Sequence, residues 1–380
     1  MNEFRKTLSR YFAQNKFPED AFYIGHTFEN RTIVVYGAGE SFHYFKEVVI
    51  RQYGIIPSVI LDIKFSAGDS YEGIFASHPD LFEPTDNEKQ HAIVVICLGN
   101  QSYFGDVVAM MKKKGFRNII SLLDIYEIHN PFNLPKELEL EGFGYYLNRR
   151  ELIESCIDLL ADDHSREVYI CCLQTHMNRK PVPIPISPRN EQYTPSGIHQ
   201  GRGASRIIYC GVSVGELERF LGALDDADDV VCFEPDPNQF ALTAAYLAEH
   251  DEIAARVSVI PCAVYSHEKI APFIYSDTSF GTRILESGNS WIQSVSIDHV
   301  LPHFRPTYIV MDIEGAELDA LKGAEKTIQS NRPDLAICVY HSPSHLWEIP
   351  LYIDSLGLGY RFYLRNYTSL TGETVLYAVS

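Results

Sequence analysis

The sequence predicts an α/β protein made of two successive units, each built on a mostly parallel sheet. Its 380 residues exceed what one hydrophobic core usually serves, so two domains are expected. Short apolar runs alternate with helical segments in two separate series, which is the pattern of parallel strands joined by helices. The second series ends in two strand-like runs around Thr371-Gly372, which predicts an antiparallel hairpin.

The first series predicts a small Rossmann-like domain over residues 1–130. Its apolar runs are typical of buried strands and cover residues 32–36, 58–62, 92–98 and 118–122. A linker and cap region is expected over residues 131–204. It includes a predicted helix near 150–160 and a segment at 181–188 whose prolines cannot continue a helix or a central strand.

The second series predicts another Rossmann-like domain over residues 205–380. Five buried strands are expected at about residues 206–210, 230–234, 257–260, 308–312 and 335–340, and the hairpin strands at 361–364 and 374–378. Five parallel strands followed by a terminal antiparallel hairpin have the outline of a class I methyltransferase. The fold class is therefore α/β, with a class I methyltransferase fold in the C-terminal domain.

Composition excludes several classes of protein. The formal net charge is −18, from 50 acidic and 32 basic residues, and a nucleic-acid partner requires concentrated Lys and Arg. The start lacks the apolar core of a signal peptide, and no apolar stretch approaches the ~20 residues of a membrane span. Eight thinly spread cysteines without a C-x-x-C pair indicate a reduced chain without a structural metal. We expect a cytoplasmic protein.

Acids and a histidine follow the fourth and fifth strands of the second series, at the sheet edge where α/β proteins bind ligands. His341 is the candidate general base because its ordinary pKa of ~6.5 suits proton transfer; the alternative is a histidine that caps the next turn. Asp312 could orient an acceptor hydroxyl, act as the base or face a cation. Glu314 is a further site candidate, whereas Glu317 is expected to be mainly structural.

A glycine turn after the first strand of this series predicts a cofactor site. Gly211 and Gly215 allow the backbone to approach a ligand, and Glu234 lies 19 positions beyond Gly215 (234 − 215), where a carboxylate can accept ribose hydroxyls. Glu216 begins the next helix and would oppose the pyrophosphate of NAD. The Glu216 carboxylate is compatible with a positively charged sulfonium ligand. The alternative is that Glu216 only complements the helix dipole.

Three motifs resemble the FkbM family of S-adenosylmethionine (SAM)-dependent O-methyltransferases. They are Met311-Asp312-Ile313-Glu314-Gly315-Ala316-Glu317, then Tyr340-His341, then Trp347-Glu348-Ile349-Pro350. The resemblance implies SAM as cofactor, with Asp312 in the cofactor site as well as in catalysis. The acceptor would be a small molecule or glycan: a hydroxyl of a sugar, a glycan precursor or a secondary metabolite. Acceptor-binding candidates are Glu314, Glu348 and Tyr193. Tyr209 stands where class I methyltransferases usually have an acid, and Glu216 could substitute.

The N-terminal series has its own candidate nucleotide site, formed by Gly37, Gly39 and Asp62. The domain resembles modules attached to polysaccharide and nucleotide-sugar enzymes, and a scaffold or dimerisation role, hence a homo-oligomer, is an equal alternative.

Two other functions stay open. One is a catalytically impaired SAM-fold or nucleotide-sugar-binding module in polysaccharide biosynthesis, and the other is an NAD-dependent oxidoreductase acting through the first domain. A divalent metal held by Asp312, Glu314 and His341 is also an alternative, although the sequence favours metal-free chemistry.

Overall fold

The computed structural model describes residues 3–14, 28, 30–51, 54–98, 103–122, 144–178, 182–199, 201–224, 227–274, 283–284, 290–368 and 371–380. Within these ranges the strands form three sheets of six, four and seven strands. The α/β class with mostly parallel sheets is confirmed.

The six-stranded sheet is formed by the first series of strands. They are β1 Ile33–Tyr36, β2 Val59–Leu61, β3 Asp69–Tyr71, β4 Ile74–Ser77, β5 Ile93–Ile96 and β6 Asn118–Ser121. Their order is β3-β4-β2-β1-β5-β6, and only the β3–β4 pair is antiparallel. The associated helices are α2 Glu40–Phe45, continued by a π-helix over Lys46–Arg51, α3 Asp86–His91 and α4 Phe104–Lys113.

The seven-stranded sheet confirms the predicted parallel strands and terminal hairpin. Its strands are β7 Arg206–Cys210, β8 Asp229–Phe233, β9 Val257–Ile260, β14 Tyr308–Met311, β15 Asp334–Cys338, β16 Arg361–Asn366 and β17 Thr374–Val379. The order is β16-β17-β15-β14-β7-β8-β9. β17 is antiparallel to both of its neighbours, β16 and β15, whereas all pairs along β15, β14, β7, β8 and β9 are parallel. The carboxyl ends of β7, β14 and β15 therefore lie side by side.

Helices connect these strands and cover the sheet. They are α8 Val214–Gly222, α9 Pro237–Glu249, α10 Asp251–Ala254, α11 Ile297–Val300, α12 Glu317–Lys322, α13 Glu325–Asn331 and α14 His345–Ser355. A short chain segment separates Met311, the last residue of β14, from Glu317, the first residue of α12. The acidic motif is thus a turn between a buried strand and a helix.

The sequence did not predict the four-stranded sheet, which lies between β9 and β14 in the chain. It contains β10 Ala263–Val264, β11 Lys269–Ile274, β12 Arg283–Ile284 and β13 Ser290–Val295, in the order β10-β13-β11-β12. Its outer strands are only two residues long, and the exposed Ile270 and Trp291 interrupt the apolar alternation with side chains that face solvent. Such short, partly exposed strands give little sequence signal.

The linker region contains three helices, α5 Gly144–Asn148, α6 Arg150–Leu159 and α7 Asp163–Asn178, and α6 agrees with the helix predicted near 150–160. The first helix of the chain, α1 Glu3–Gln14, contacts α6 and α7. Its Leu8 and Phe12 belong to the same apolar cluster as the core of the seven-stranded sheet. Residues 3–14 therefore pack with the C-terminal part of the chain. The exact domain boundaries stay a prediction.

Two apolar cores lie on opposite faces of the seven-stranded sheet because side chains alternate along each strand. Ile208 and Met311 belong to one core, whereas Tyr209 and Val310 belong to the other. Asp312 has the same parity as Val310. The alternation therefore places Asp312 on the side of the sheet that carries Tyr209.

Among the helices that the structure describes, none combines the length and apolar character that a membrane crossing requires.

We predict that Gly211→Ala destabilises the protein by at least about 2 kcal/mol, whereas Gly215→Ala stays within about 1 kcal/mol of wild type. Gly211 has φ +82°, and a Cβ there would lie 1.7 Å from the Asp312 carbonyl oxygen. A Cβ at Gly215 meets nothing within 4 Å, and the residue lies in the first turn of α8. Urea unfolding measures the free energy of unfolding of both variants. Equal losses would contradict the close approach of Gly211 to the Asp312 carbonyl.

Candidate functional site

The buried carboxylate of Glu317 organises the turn between β14 and α12. Its side chain is 0% exposed. Oε1 accepts hydrogen bonds from the backbone N–H of Ile313, at 3.0 Å, and of Gly315, at 3.4 Å. The same oxygen lies 2.8 Å from Nδ1 of His341, and Oε2 lies 3.3 Å from Nδ1 of His345. One carboxylate thus ties the acidic turn to the end of β15 and to the start of α14.

His341 is held in one orientation by this contact. Because an ionised carboxylate only accepts, Nδ1 donates to Glu317 and Nε2 points the other way. Nε2 lies 3.4 Å from Oδ1 of Asp312 and 3.8 Å from Oε2 of Glu314, and it has no hydrogen-bond partner among the described residues. The side chain is only 2% exposed. The structure therefore brings together three predicted site residues, Asp312, Glu314 and His341.

The charge state of His341 is set by its carboxylate neighbours. Burial alone would lower the pKa of His341, but the carboxylates of Glu317, Glu314 and Asp312 outweigh burial and raise it to about 10. Burial would also raise the pKa of Glu317, yet His341 and His345 hold it well below its usual range. The cluster thus combines an imidazolium at His341 with the ionised carboxylate of Glu317.

Asp312 is positioned by two tyrosines. Tyr193 donates from its hydroxyl to Oδ2 at 2.7 Å, and Tyr340 donates to Oδ1 at 3.2 Å. Burial raises the pKa of Asp312, against the opposing effect of His341. Tyr193 is itself completely buried, so it orients Asp312 from behind. This placement makes Tyr193 a positioning residue for the carboxylate.

Backbone strain concentrates around this cluster. Seven described residues other than glycine have positive φ, and three of them belong to the site: Tyr193 (φ 69°), Glu314 (φ 55°) and Glu373 (φ 59°). Each such residue costs on the order of 1–3 kcal/mol, and strain of this kind accumulates at functional sites. At Glu314 the left-handed conformation lies between Asp312 and Glu317, where the chain must turn sharply so that all three carboxylates approach one histidine.

The predicted cofactor turn adjoins the same cluster. The N–H of Asp312 donates to the carbonyl of Cys210 at 3.0 Å, directly before Gly211. Glu216 accepts from Ser213 Oγ at 3.2 Å, and burial together with the carboxylates of Asp312 and Glu373 raises its pKa to about 7. The glycine turn, Glu216 and Asp312 therefore form one continuous acidic wall.

Tyr209, which replaces the usual acid, is completely buried in this wall. Its ring packs edge-on against Tyr193, with centroids 5.8 Å apart. Its hydroxyl has no hydrogen-bond partner among the described residues. Burial, then the carboxylates of Glu216 and Asp312, raise the pKa of Tyr209 well above its ordinary value. Tyr209 is thus a buried donor without a hydrogen-bond partner among the described residues.

The ribose-binding candidate Glu234 lies just beyond β8. It is 8% exposed, and Oε1 accepts from the N–H of Asp236 at 2.8 Å. Asp236 in turn caps α9 by accepting from the N–H groups of Asn238 and Gln239. Burial is the main reason that the pKa of Glu234 rises to about 8. This buried carboxyl lies at the end of the strand adjacent to β7, where the sequence predicted it.

Two predicted sites are not connected to the cluster by described contacts. Glu348 lies in the first turn of α14. In the N-terminal unit, Asp62 accepts from the N–H of Ala38, between Gly37 and Gly39, at 2.8 Å. The Ala38 N–H therefore already donates to Asp62, whereas a bound phosphate would need this N–H as a donor.

Sequence reasoning missed three residues of the site: Tyr340, His345 and Glu373. Tyr340 was visible as the neighbour of His341, but the hydrogen bond to Asp312 requires knowledge of the turn. Glu373 lies in the terminal hairpin and accepts from Gln192 at 2.6 Å and from Arg189 at 3.2 Å. Because Glu373 is far in sequence from the other acids of the site, no local sequence pattern links it to them.

Comparisons with known proteins agree with this fold. Residues 210–367 match the model of the methyltransferase FkbM domain. The structure is similar to the crystal structure of methyltransferase FkbM from Methylobacillus flagellatus KT. That match has a TM-score of 0.72 and 21% sequence identity, and covers 99% of this chain and 98% of the other. No curated protein sequence matches the chain.

Two further solved structures match less of the chain. A rRNA methylase from Streptococcus thermophilus is 13% identical over 47% of this chain and 88% of its own, with a TM-score of 0.29. Aeropyrum pernix fibrillarin in complex with S-adenosyl-L-methionine is 10% identical over 48% of this chain and 70% of its own, with a TM-score of 0.28.

The family match defines residues 210–367 as a methyltransferase domain, and the structural match supports its α/β fold. The domain is of the FkbM type, which confirms the family resemblance of its motifs.

We predict that Glu317→Ala lowers the free energy of unfolding by about 3–5 kcal/mol, because it leaves a buried imidazolium and two backbone N–H groups without their acceptor. Asp319→Ala on the same helix is the control. Its carboxylate is 39% exposed and interacts with the half-exposed Lys322 and with Tyr265, so the loss should stay below about 1 kcal/mol. Denaturant unfolding compares the two variants. A loss for Glu317→Ala no larger than for the control would contradict the organising role.

We also predict that Glu234→Gln removes a pH-dependent loss of stability. The pKa of Glu234 rises from 4.5 to about 8 on folding, so the native carboxyl keeps a proton that the unfolded chain releases in this window. Wild type therefore loses stability as the pH rises from about 5 to about 8. The variant's advantage should grow across this range, by on the order of 2 kcal/mol. Thermal unfolding at several pH values measures it, and a constant difference would contradict the shift.

Proposed function

We propose that this FkbM-type methyltransferase is SAM-dependent and transfers the methyl group to a hydroxyl of a sugar, a glycan precursor or a secondary metabolite. The main support for this proposal is the position of Asp312. Its backbone adjoins the glycine turn at Gly211, while its carboxylate lies 3.4 Å from Nε2 of His341. One residue thus joins the proposed cofactor side of the site to the proposed acceptor side.

The charge of the site and the free space at Gly215 support SAM as the ligand. The open space at Gly215 leaves room for a ligand beside the helix start. Glu234 would accept the ribose hydroxyls, and the acidic wall of Glu216 and Asp312 suits a ligand with a sulfonium and an amino group.

SAM would supply an electrophilic methyl group, and the acceptor oxygen would form the new bond to its carbon while the bond to sulfur breaks. Asp312 would orient the acceptor hydroxyl and receive its proton, and the neighbouring His341 would stabilise the charge of the Asp312 carboxylate. Tyr193 and Tyr340 hold the carboxylate in place through its two oxygens. Glu314 and Glu348 would contact the acceptor. The hydroxyl specificity and the acceptor class rest on the resemblance of the motifs to the FkbM family.

Calorimetry with SAM and with S-adenosylhomocysteine tests cofactor binding. We expect wild type to bind both, and Gly215→Ala to weaken binding about 10-fold while the fold persists, because a new Cβ enters the open space. Asp319→Asn is the matched control and should bind as wild type does. Absence of binding by folded wild-type protein would overturn the SAM assignment.

Methyl transfer is tested separately with a panel of sugar nucleotides, glycolipid precursors and hydroxylated metabolites, in which mass spectrometry detects the gain of one methylene. Asp312→Asn should lower kcat by about 100-fold or more, since it removes the charge but preserves an oxygen that can accept from Tyr193. A variant that keeps wild-type kcat would exclude Asp312 from the chemical step.

A further inference from the structure

We propose that Asp312, Glu314 and Nε2 of His341 form a binding site for one divalent cation, with Glu317 orienting the histidine from behind. Among the described residues, ligand atoms of Asp312, Glu317 and His341 lie within 4.8 Å of one another. The hydrogen-bond geometry divides their roles. Glu317 already engages Nδ1 of His341 at 2.8 Å, which leaves Nε2 as the ring nitrogen that can bind a metal.

The observation that distinguishes this cluster from ordinary neighbouring acids is the buried nitrogen. The His341 side chain is 2% exposed, and Nε2 has no hydrogen-bond partner among the described residues. A buried polar atom of this kind normally has a partner. Carboxylate oxygens of Asp312 and Glu314 face it at 3.4 and 3.8 Å. A cation between these three atoms would give the buried nitrogen a partner.

Glu317 provides the arrangement found behind metal-binding histidines. Such histidines commonly donate their other ring N–H to a carboxylate, which fixes the ring and its tautomer. Oε1 of Glu317 accepts from His341 and from the N–H of Ile313, which adjoins Asp312 in the chain. The orienting carboxylate therefore contacts one proposed ligand, His341, directly and holds the backbone next to another, Asp312.

The backbone supports the same assignment. Glu314 adopts φ 55°, a conformation that is costly for a residue with a side chain, in the turn between Asp312 and Glu317. This turn brings Glu314 within 3.8 Å of Nε2. Tyr193 and Tyr340 meanwhile limit the movement of Asp312 by donating to its two oxygens. The proposed ligands are thus largely preorganised by neighbours that lie outside the site.

Two carboxylates and one imidazole favour a first-row divalent cation, and Mn²⁺ is a suitable probe. In methyl transfer the cation would bind the acceptor hydroxyl and make its proton more acidic. This role rests on the proposed function, whereas cation binding itself does not. The sequence favoured metal-free chemistry, because the spacing of the three ligands in the chain is not diagnostic.

Cation binding is tested on the full-length protein after treatment with a chelator and without SAM. Titration with Mn²⁺, followed by electron paramagnetic resonance, should show one bound ion per chain. Pulsed measurements on wild type should show magnetic coupling to a directly bound imidazole nitrogen. His341→Asn keeps an amide that can donate to Glu317 but lacks Nε2. It should weaken binding by more than about 100-fold, because a lost ligand costs more than a lost orienting partner.

Asp319→Asn, with its exposed carboxylate on α12, should bind Mn²⁺ as wild type does. Absence of tight Mn²⁺ binding, absence of nitrogen coupling, or wild-type affinity in folded His341→Asn would each overturn the proposal. The pulsed measurement needs no variant, so misfolding of His341→Asn does not prevent a decision. Calorimetry with SAM on the same preparation separates the two proposals. If the protein binds SAM but not Mn²⁺, only the cation site is rejected. If it binds Mn²⁺ but not SAM, only the SAM assignment is rejected.

Discussion

The arrangement of the site depends on one buried carboxylate, that of Glu317. It accepts from two backbone N–H groups of the acidic turn and from Nδ1 of His341, and its own exposure is 0%. These contacts join the end of β14, the start of α12 and the end of β15. A buried charge is costly unless it is paired and hydrogen-bonded. The energetic requirement to satisfy Glu317 therefore fixes both the shape of the turn and the direction in which His341 points.

Negative charge is concentrated around Asp312. Glu216, Glu314 and Glu373 all lie in this part of the molecule, and the pKa values of Glu216 and Asp312 are raised by burial and by neighbouring carboxylates. A site of this kind favours cationic ligands. A sulfonium on one side of Asp312 and a divalent cation on the other would both reduce the repulsion. The proposed cofactor and the proposed cation site thus respond to the same electrostatic feature.

Much of the fold was predictable from the sequence, because buried parallel strands appear as short apolar runs. The five parallel strands of the second series and the antiparallel hairpin were predicted, and the glycine turn was placed correctly after β7. The four-stranded sheet was not, since its strands are short and partly exposed. Within the site, Asp312, Glu314 and His341 were candidates because of their strand-end positions. The hydrogen bonds from Tyr193 and Tyr340 to Asp312, and the approach of Glu373, depend on tertiary contacts between distant segments.

The central claim is that the acidic edge at Asp312 is where cofactor and acceptor meet. A crystal structure of the complex with S-adenosylhomocysteine tests it most directly. The account predicts that the ribose hydroxyls contact Glu234, that the backbone at Gly215 lies against the ligand, and that the sulfur faces Asp312 on the side where His341 lies. A ligand bound elsewhere, or bound with its sulfur directed away from Asp312, would contradict the account.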